Sequence, residues 1–157
     1  PFELAAFDAS TRERLGELLE AKRLEDIVGV RNLLDLTPIV DDEAYEDAVR
    51  LVLGDPNVDV GVIGCVPMTA ALQTTQVSET PAGGAEDFAD EGSIVRRLIR
   101  FHALSTKAWV GVVDAGPLYD PMVRLMREEG VPVFNTADRA LRLFATYCHW
   151  RLRYASA

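Results

Sequence analysis

Two long apolar runs rich in β-branched residues dominate the hydrophobic pattern of the chain, one over residues 58–66 and one over 108–113. Neither run alternates with polar residues, as a strand with one face in water would. Both therefore predict neighbouring strands of a parallel sheet, nearly fully buried on both faces. A shorter run at 32–38 predicts another buried strand. A fourth run at 131–134 predicts a strand near an edge of the sheet, because Pro132 cannot donate a ladder hydrogen bond.

Helical stripes and capping residues separate these runs. They predict helices from Ser10, whose capping-box partner is Glu13, to about Lys22; from Asp41 or Asp42 to Gly54; from Ser93 to about Leu104; from Asp120 to Gly130; and from Thr136 onwards. The last helix is expected to bury one face, formed by Leu141, Phe144, Ala145, Cys148 and Leu152, and to expose Arg142, His149 and Arg153. The polar stretch 73–92, which contains proline and glycine, predicts the least ordered internal segment.

Alternation of helices and strands with short connections predicts the α/β class. We expect a single domain over residues 1–157, built as a three-layer α/β/α sandwich around a mostly parallel, flavodoxin-like sheet with right-handed crossovers. The chain begins at Pro1 and Phe2 without an initiator methionine or a secretory signal, so we expect it to be one piece of a longer protein.

Charge and cysteine content exclude several classes of function. The 157 residues include 25 acidic and 16 basic side chains, a net charge of −9, which disfavours binding to nucleic acid. No apolar stretch reaches the roughly 20 residues that a membrane span needs. Cys65 and Cys148 are far apart in the sequence and belong to no metal-binding motif, so they predict free thiols in a reducing, cytoplasmic compartment.

Candidate chemistry lies where the predicted strands end, because ligands of open α/β sheets bind beyond the carboxyl ends of the strands. These ends carry Asp35 and Thr37, the segment Pro67, Met68, Thr69 and Ala70, and Asp114 with Gly116. Pro67 suits the first turn of a helix, whose free amides could face a phosphate. The two aspartates are more often acceptors in turns or caps than catalytic bases or metal ligands.

No residue stands out as catalytic or as a metal ligand. Glycine-rich dinucleotide and P-loop motifs are absent. His102 and His149 fall inside predicted helices, where histidines without a partner motif are usually structural or solvated. Cys65 belongs to an apolar strand, where a thiol is usually inert.

Three segments together resemble one family: residues 32–38 followed by 42–45, residues 54–59 leading through the strand to 66–69, and residues 130–134 followed by 136–140. Their order and spacing are similar to the ligase-CoA, flavodoxin-like domain of NDP-forming acyl-CoA synthetases. These are the acetate–CoA ligases of the succinyl-CoA synthetase superfamily. The resemblance covers nearly the whole chain.

The resemblance implies a role in the interconversion of acyl-CoA and NTP. In that family a phosphohistidine on a neighbouring domain carries the phosphoryl group, and the domain resembled here supplies a helix N-terminus that faces it. The matching positions are Pro67, Met68, Thr69 and Ala70, although the family's glycine-rich turn is missing there. The implied partners are the CoA-binding, phosphohistidine and ATP-grasp domains, which would hold CoA, ADP or ATP, and Mg. This chain alone is expected to bind none of these cofactors and to be inactive.

The chain departs from the family at its start, where the usual first strand and Gly-Gly turn do not precede Phe2. If that strand is central, its absence exposes a sheet edge, and pairing with a second copy as a homodimer is one expected outcome. A non-catalytic binding or regulatory module, for example within an acetyltransferase fusion, is the alternative from another class. A flavin-binding or receiver domain is the third interpretation.

Overall fold

The computed structural model describes residues 2–75 and 87–154. Along these residues five α-helices and three β-strands follow one another. They are α1 (Ala9–Ala21), α2 (Asp42–Gly54), β1 (Gly61–Gly64), α3 (Ile94–Leu104), β2 (Trp109–Val112), α4 (Asp120–Glu128), β3 (Val133–Phe134) and α5 (Ala137–Tyr154). A 3₁₀ turn, Pro117–Tyr119, precedes α4. Most of the predicted loop lies outside the described residues, since its central part covers 76–86.

The three strands form one open parallel sheet in the order β1-β2-β3. Gly61 lies opposite Trp109 on β2, and Gly111 of β2 lies opposite Val133 on β3. The predicted α/β class and the adjacency of the two long apolar runs are therefore confirmed. Both edges of the sheet are short strands, and the arrangement is compatible with a flavodoxin-like fold.

The central strand β2 is buried along its whole length, as predicted. Its side chains alternate between two hydrophobic cores. Trp109 belongs to the larger core, which also includes residues of α1, α2, α3 and α4. Val110 and Val112 belong to a smaller core with Ala140 and Phe144 of α5. The strand is nearly continuously apolar because both of its faces are covered.

The prediction that β1 is equally buried is wrong. Ile63 and Cys65 are buried. The valines that precede Ile63 and follow Cys65 are exposed, Val62 by 43% and Val66 by 67%. β1 is an edge strand, and α5 contacts β2 and β3 rather than lying over β1. An apolar run therefore does not guarantee that both faces of a strand are covered.

The predicted strand at 32–38 is not formed. Leu33 is exposed, Leu34 and Leu36 are half-buried, and Thr37 adopts a positive φ of 62°. The segment is fixed at its ends instead. The side-chain amide of Asn32 donates to the carbonyl of Ala5, and the Thr69 hydroxyl donates to the carbonyl of Pro38. A strand needs a neighbouring ladder of backbone hydrogen bonds, and this segment pairs with none among the described residues.

Helix starts were predicted correctly where a capping residue directly precedes the apolar stripe. Asp41 caps α2 by accepting from the Ala44 amide at 2.8 Å, and Ser93 caps α3 by accepting from the Arg96 amide at 3.1 Å. The start of the first helix was wrong, because Asp8 caps α1 through the Thr11 amide and the Ser10 capping box is not used. The carboxylate of Asp8 is a good N-cap acceptor two residues upstream of the predicted one.

The predicted buried face of the last helix is only partly correct. Ala140 and Phe144 are buried, Ala145 and Cys148 are half-buried, and Leu141 and Leu152 are exposed. Arg142, His149 and Arg153 are exposed as predicted. Because every residue from 149 to 154 is exposed, the last turns of α5 have no covering layer among the described residues.

The two faces of β1 give a direct test of this packing. Replacing Ile63 by Ala should lower the free energy of unfolding by about 2–4 kcal/mol, because it removes a buried side chain and leaves a cavity. The matched control Val62→Ala changes a half-exposed neighbour on the opposite face and should cost less than about 1 kcal/mol. Urea unfolding followed by circular dichroism measures both. Equal losses would contradict the described orientation of β1.

Candidate functional site

The segment that follows β1 forms a turn rather than the predicted helix. Residues 69–72 are in turn and bend conformations, and the next described helix is α3. The Thr69 hydroxyl accepts from the Ala71 amide at 3.1 Å and donates to the carbonyl of Pro38. The hydroxyl of Thr74 donates to the Pro67 carbonyl at 2.8 Å. These side-chain bonds give the backbone an alternative to helical pairing, so the helix start predicted at Pro67 is wrong.

This turn nevertheless presents free backbone donors at the carboxyl end of β1. The amides of Met68, Thr69 and Ala70 make no hydrogen bond within the part of the chain that the structure describes. Met68 and Ala70 are exposed, whereas Pro67 is fully buried and anchors the turn. Successive free amides in a turn can contact an anion without a helix.

A carboxylate of α2 occupies the N-terminus of α3. Asp42 Oδ1 accepts from the Ile94 amide at 2.5 Å, and the same carboxylate accepts from the Gln73 amide at 3.1 Å. The Ser93 hydroxyl takes the Arg96 amide. A helix N-terminus attracts an anion through its free amides and its dipole, and here that anion is a side chain of the protein itself. α3 therefore does not offer these amides to an external phosphate.

Tyr45, one helical turn after Asp42, fixes the end of β1. Its hydroxyl donates to the carbonyl of Gly64 at 2.5 Å, and its side chain is buried. Burial raises the pKa of the Tyr45 hydroxyl well above its ordinary value, because the charged phenolate would lose its hydration. The residue is thus a structural hydrogen-bond donor.

Glu46 completes the same face of α2 and clamps α3 from the side. Its carboxylate accepts from Arg97 Nη1 at 2.8 Å and from Arg50 Nη2 at 2.6 Å. Burial alone would raise the pKa of Glu46, but the hydrogen bonds from Arg97 and Arg50 outweigh it and hold the pKa below its ordinary value. Asp42, Tyr45 and Glu46 lie on one side of α2 and thus bind three different parts of the chain.

The other predicted site residues do not converge with this turn into a catalytic group. Asp35 is exposed and accepts from the Thr37 amide at 3.0 Å, which is the turn role expected for it. Asp114 is exposed directly after β2. Gly116 is also exposed, and its positive φ of 78° favours glycine where the chain enters the 3₁₀ turn. Thr37 lies beside Pro38, whose carbonyl accepts from the Thr69 hydroxyl.

The thiol and imidazole groups offer no activated nucleophile or base. Burial, together with the negative charge of Asp42, raises the pKa of the Cys65 thiol to about 12. His102 packs edge-on against Trp109, with ring centroids 5.1 Å apart, and burial lowers its pKa. His149 is exposed on α5. Among the described residues, no group of three or more His, Cys, Asp or Glu side chains could hold a metal ion.

The arrangement can contact an anion through backbone amides, and none of the described side chains beside it is placed for proton transfer or nucleophilic attack. The sequence pointed to residues 67–70 as a helix start rather than a turn, and it did not indicate that Asp42 and Tyr45 hold the surroundings of this turn in place. The available signal was the spacing of polar side chains at positions 42, 45 and 46 on an otherwise apolar face of α2.

No family model, curated protein or solved structure matches this chain. Within residues 2–75 and 87–154, no helix has the length and apolar character needed to cross a bilayer.

Asp42 should contribute strongly to stability. In Asp42→Ala the amide of the fully buried Ile94 loses its acceptor, so the free energy of unfolding should fall by about 1–3 kcal/mol. Asp47→Ala is the matched control, because Asp47 is an exposed residue of the same helix with no ion pair to another described residue. Chemical denaturation of both variants tests this. A control that loses as much stability as Asp42→Ala would contradict the assigned role.

The lowered pKa of Glu46 predicts a loss of stability in acid. Its contribution is fully present above the ordinary carboxyl pKa of about 4.5 and is lost as the pH falls through the lower folded-state pKa. Glu46→Gln should be less stable than the parent at neutral pH, and its stability should fall less on acidification. Thermal unfolding across this pH range measures both effects. Glu128→Gln, at an exposed position of α4 without an ion pair to another described residue, is the control for removal of one carboxylate.

Proposed function

We propose that this chain is a ligase-CoA-like domain of an NDP-forming acyl-CoA synthetase, and that it faces the phosphoryl site of a partner domain through the turn at 67–70. The observation that carries the proposal is that the amides of Met68, Thr69 and Ala70 lie at the carboxyl end of β1 and make no hydrogen bond to another described residue. The order of the three resembling segments and the parallel α/β sheet support it. In this proposal the small sheet belongs to a three-layer, flavodoxin-like sandwich.

The chain's own residues would orient and stabilise rather than react. Amide donors that are fixed before the reaction stabilise a phosphoryl group without reorganisation cost. Asp42 and Tyr45 would keep the turn in place by binding Gln73 and Gly64 on either side of it. The phosphohistidine would belong to a neighbouring domain.

The cofactors of such a synthetase are assigned to the neighbouring domains as well. These cofactors are CoA, ADP or ATP, and Mg. The chain carries no glycine-rich nucleotide motif, and its described carboxylates form no metal-binding group. The turn also lies close to Asp42, whose negative charge weakens the attraction for free phosphate. Binding therefore requires a partner that brings cationic groups and excludes water.

The second candidate is a non-catalytic binding or regulatory module with the same fold. It is favoured by one specific observation, the occupation of the α3 N-terminus by Asp42. A domain whose own carboxylate already binds the amide at this helix start needs no ligand to hold it in place. In that case the turn at 67–70 would contact a protein surface rather than a phosphoryl group.

Amide chemical shifts of the isotope-labelled chain distinguish the two candidates. Inorganic phosphate should shift the amide resonances of Met68, Thr69 and Ala70 with a weak, unsaturated titration, and the chain alone should form no acyl-CoA from acetate, CoA and ATP. Ala70→Pro removes one amide donor and should reduce the shifts, whereas Ala70→Ser keeps the donor and should not. Phosphate shifts spread over the surface, or absent from these three amides, would leave the module as the better proposal.

A further inference from the structure

The exposed side of α5 carries a row of large apolar and aromatic side chains. Leu143, Tyr147, Trp150 and Tyr154 follow one another at spacings of four, three and four residues, so they lie on one side of the helix. All four are exposed, Trp150 by 55%. We call these four residues the α5 stripe. Such spacing is typical of a helix face that packs against another protein surface.

No described residue covers the end of α5. Phe144 packs against β2, but every residue from 149 to 154 is exposed, including Leu152 on another side of the helix. Two helical turns with a tryptophan, a leucine and a tyrosine in water gain little stability from backbone pairing alone. A covering surface would bury all three side chains.

Charge narrows the identity of that surface. α5 carries four arginines and one aspartate, a net charge of +3, and among the described residues only Arg142 of these arginines forms an ion pair, with Asp138 at 3.1 Å. Because the whole chain carries −9 and α5 carries +3, the remaining residues carry −12. A surface that complements α5 in charge is therefore acidic, and the rest of the chain is acidic overall. Two α5 helices packed against each other would instead place like charges together.

The exposed side of α1 has the required character. Glu13, Glu17 and Glu20 are exposed, follow the same spacing of four and three residues, and form no ion pair among the described residues. This row of glutamates matches the α5 stripe in spacing and opposes the arginines of α5 in charge, and Arg12 and Arg14 on its flanks bring the net charge of α1 to −1.

We propose that α5 of one copy docks on the α1 surface of a second copy, and that the reciprocal contact closes a two-fold dimer. Each copy then contributes one stripe and one row of glutamates, so the same contact forms twice. Trp150 is the central anchor, since buried tryptophans dominate many interfaces, and Arg151 and Arg153 supply the charge pairing.

Sedimentation velocity of the whole chain over a range of concentrations tests the dimer. Trp150→Asp should raise the dissociation constant at least about tenfold, since loss of an interface tryptophan commonly costs about 2 kcal/mol. Leu104→Asp is the matched control, because Leu104 is a similarly exposed apolar residue at the end of α3, and it should leave the dissociation constant unchanged. A chain that is monomeric at every concentration, or equal effects of the two variants, would overturn the proposal.

A charge exchange identifies the surface on the partner copy. The variant with Arg151→Glu and Arg153→Glu, and the variant with Glu17→Lys and Glu20→Lys, should each be monomeric alone and should form a heterodimer when mixed. Dimerisation that persists in the α1 variant would indicate pairing of α5 with α5 and would overturn the assignment. A monomer that binds phosphatidylserine vesicles through Trp150 would overturn it in favour of a membrane surface.

Discussion

The position of α3 depends on one carboxylate. Asp42 lies in the first turn of α2, and it takes the amide of Ile94 at the first turn of α3. Because Ile94 is fully buried, no water can replace that acceptor without opening the core. The same carboxylate holds the Gln73 amide, so it joins both ends of the connection between β1 and α3. Tyr45 and Glu46 then fix the strand and the side of α3 from the same helix face.

The sheet built around this joint is asymmetric. β2 is covered on both faces by two separate cores, whereas β1 keeps a buried face towards α2 and α3 and a half-open face beside α5. The amides of Val62 and Gly64 face away from the ladder with β2, because Gly61 and Cys65 donate to Ala108 and Val112 and successive residues of a strand point to opposite sides. Tyr45 covers part of this edge by donating to Gly64. The Tyr45 hydroxyl therefore occupies part of the exposed edge of β1.

Local chemistry made some elements predictable and left others undetermined. Asp41 and Ser93 were recognised as caps because a cap needs only its own following amides, and the β2 strand was recognised because its apolar, β-branched run is typical of a strand covered on both faces. The strand expected at 32–38 and the helix expected after Pro67 failed for the opposite reason. A strand needs a partner and a helix start needs free amides, and neither requirement can be read from the segment itself.

The candidate site likewise combines features that can be read from a local segment with contacts that cannot. The strand-end rule placed Thr69 and Asp114 at the correct edge of the sheet, but it could not show that Thr69 bonds to Pro38 or that α3 is capped from α2. Those contacts join residues more than 30 positions apart in the sequence. Contacts at such separation are decided by how the helices pack, which a single sequence does not encode in any local pattern.

The two tryptophans occupy opposite environments, and this gives the chain two built-in optical reporters. Trp109 is 1% exposed and is stacked on Phe101, with the ring of His102 against its edge. Trp150 stands in water near Tyr154. Fluorescence from the first arises in an apolar, protected site, whereas fluorescence from the second is open to water and to soluble quenchers. Emission colour and quenching can thus report on the core and on the end of α5 separately, without any added label.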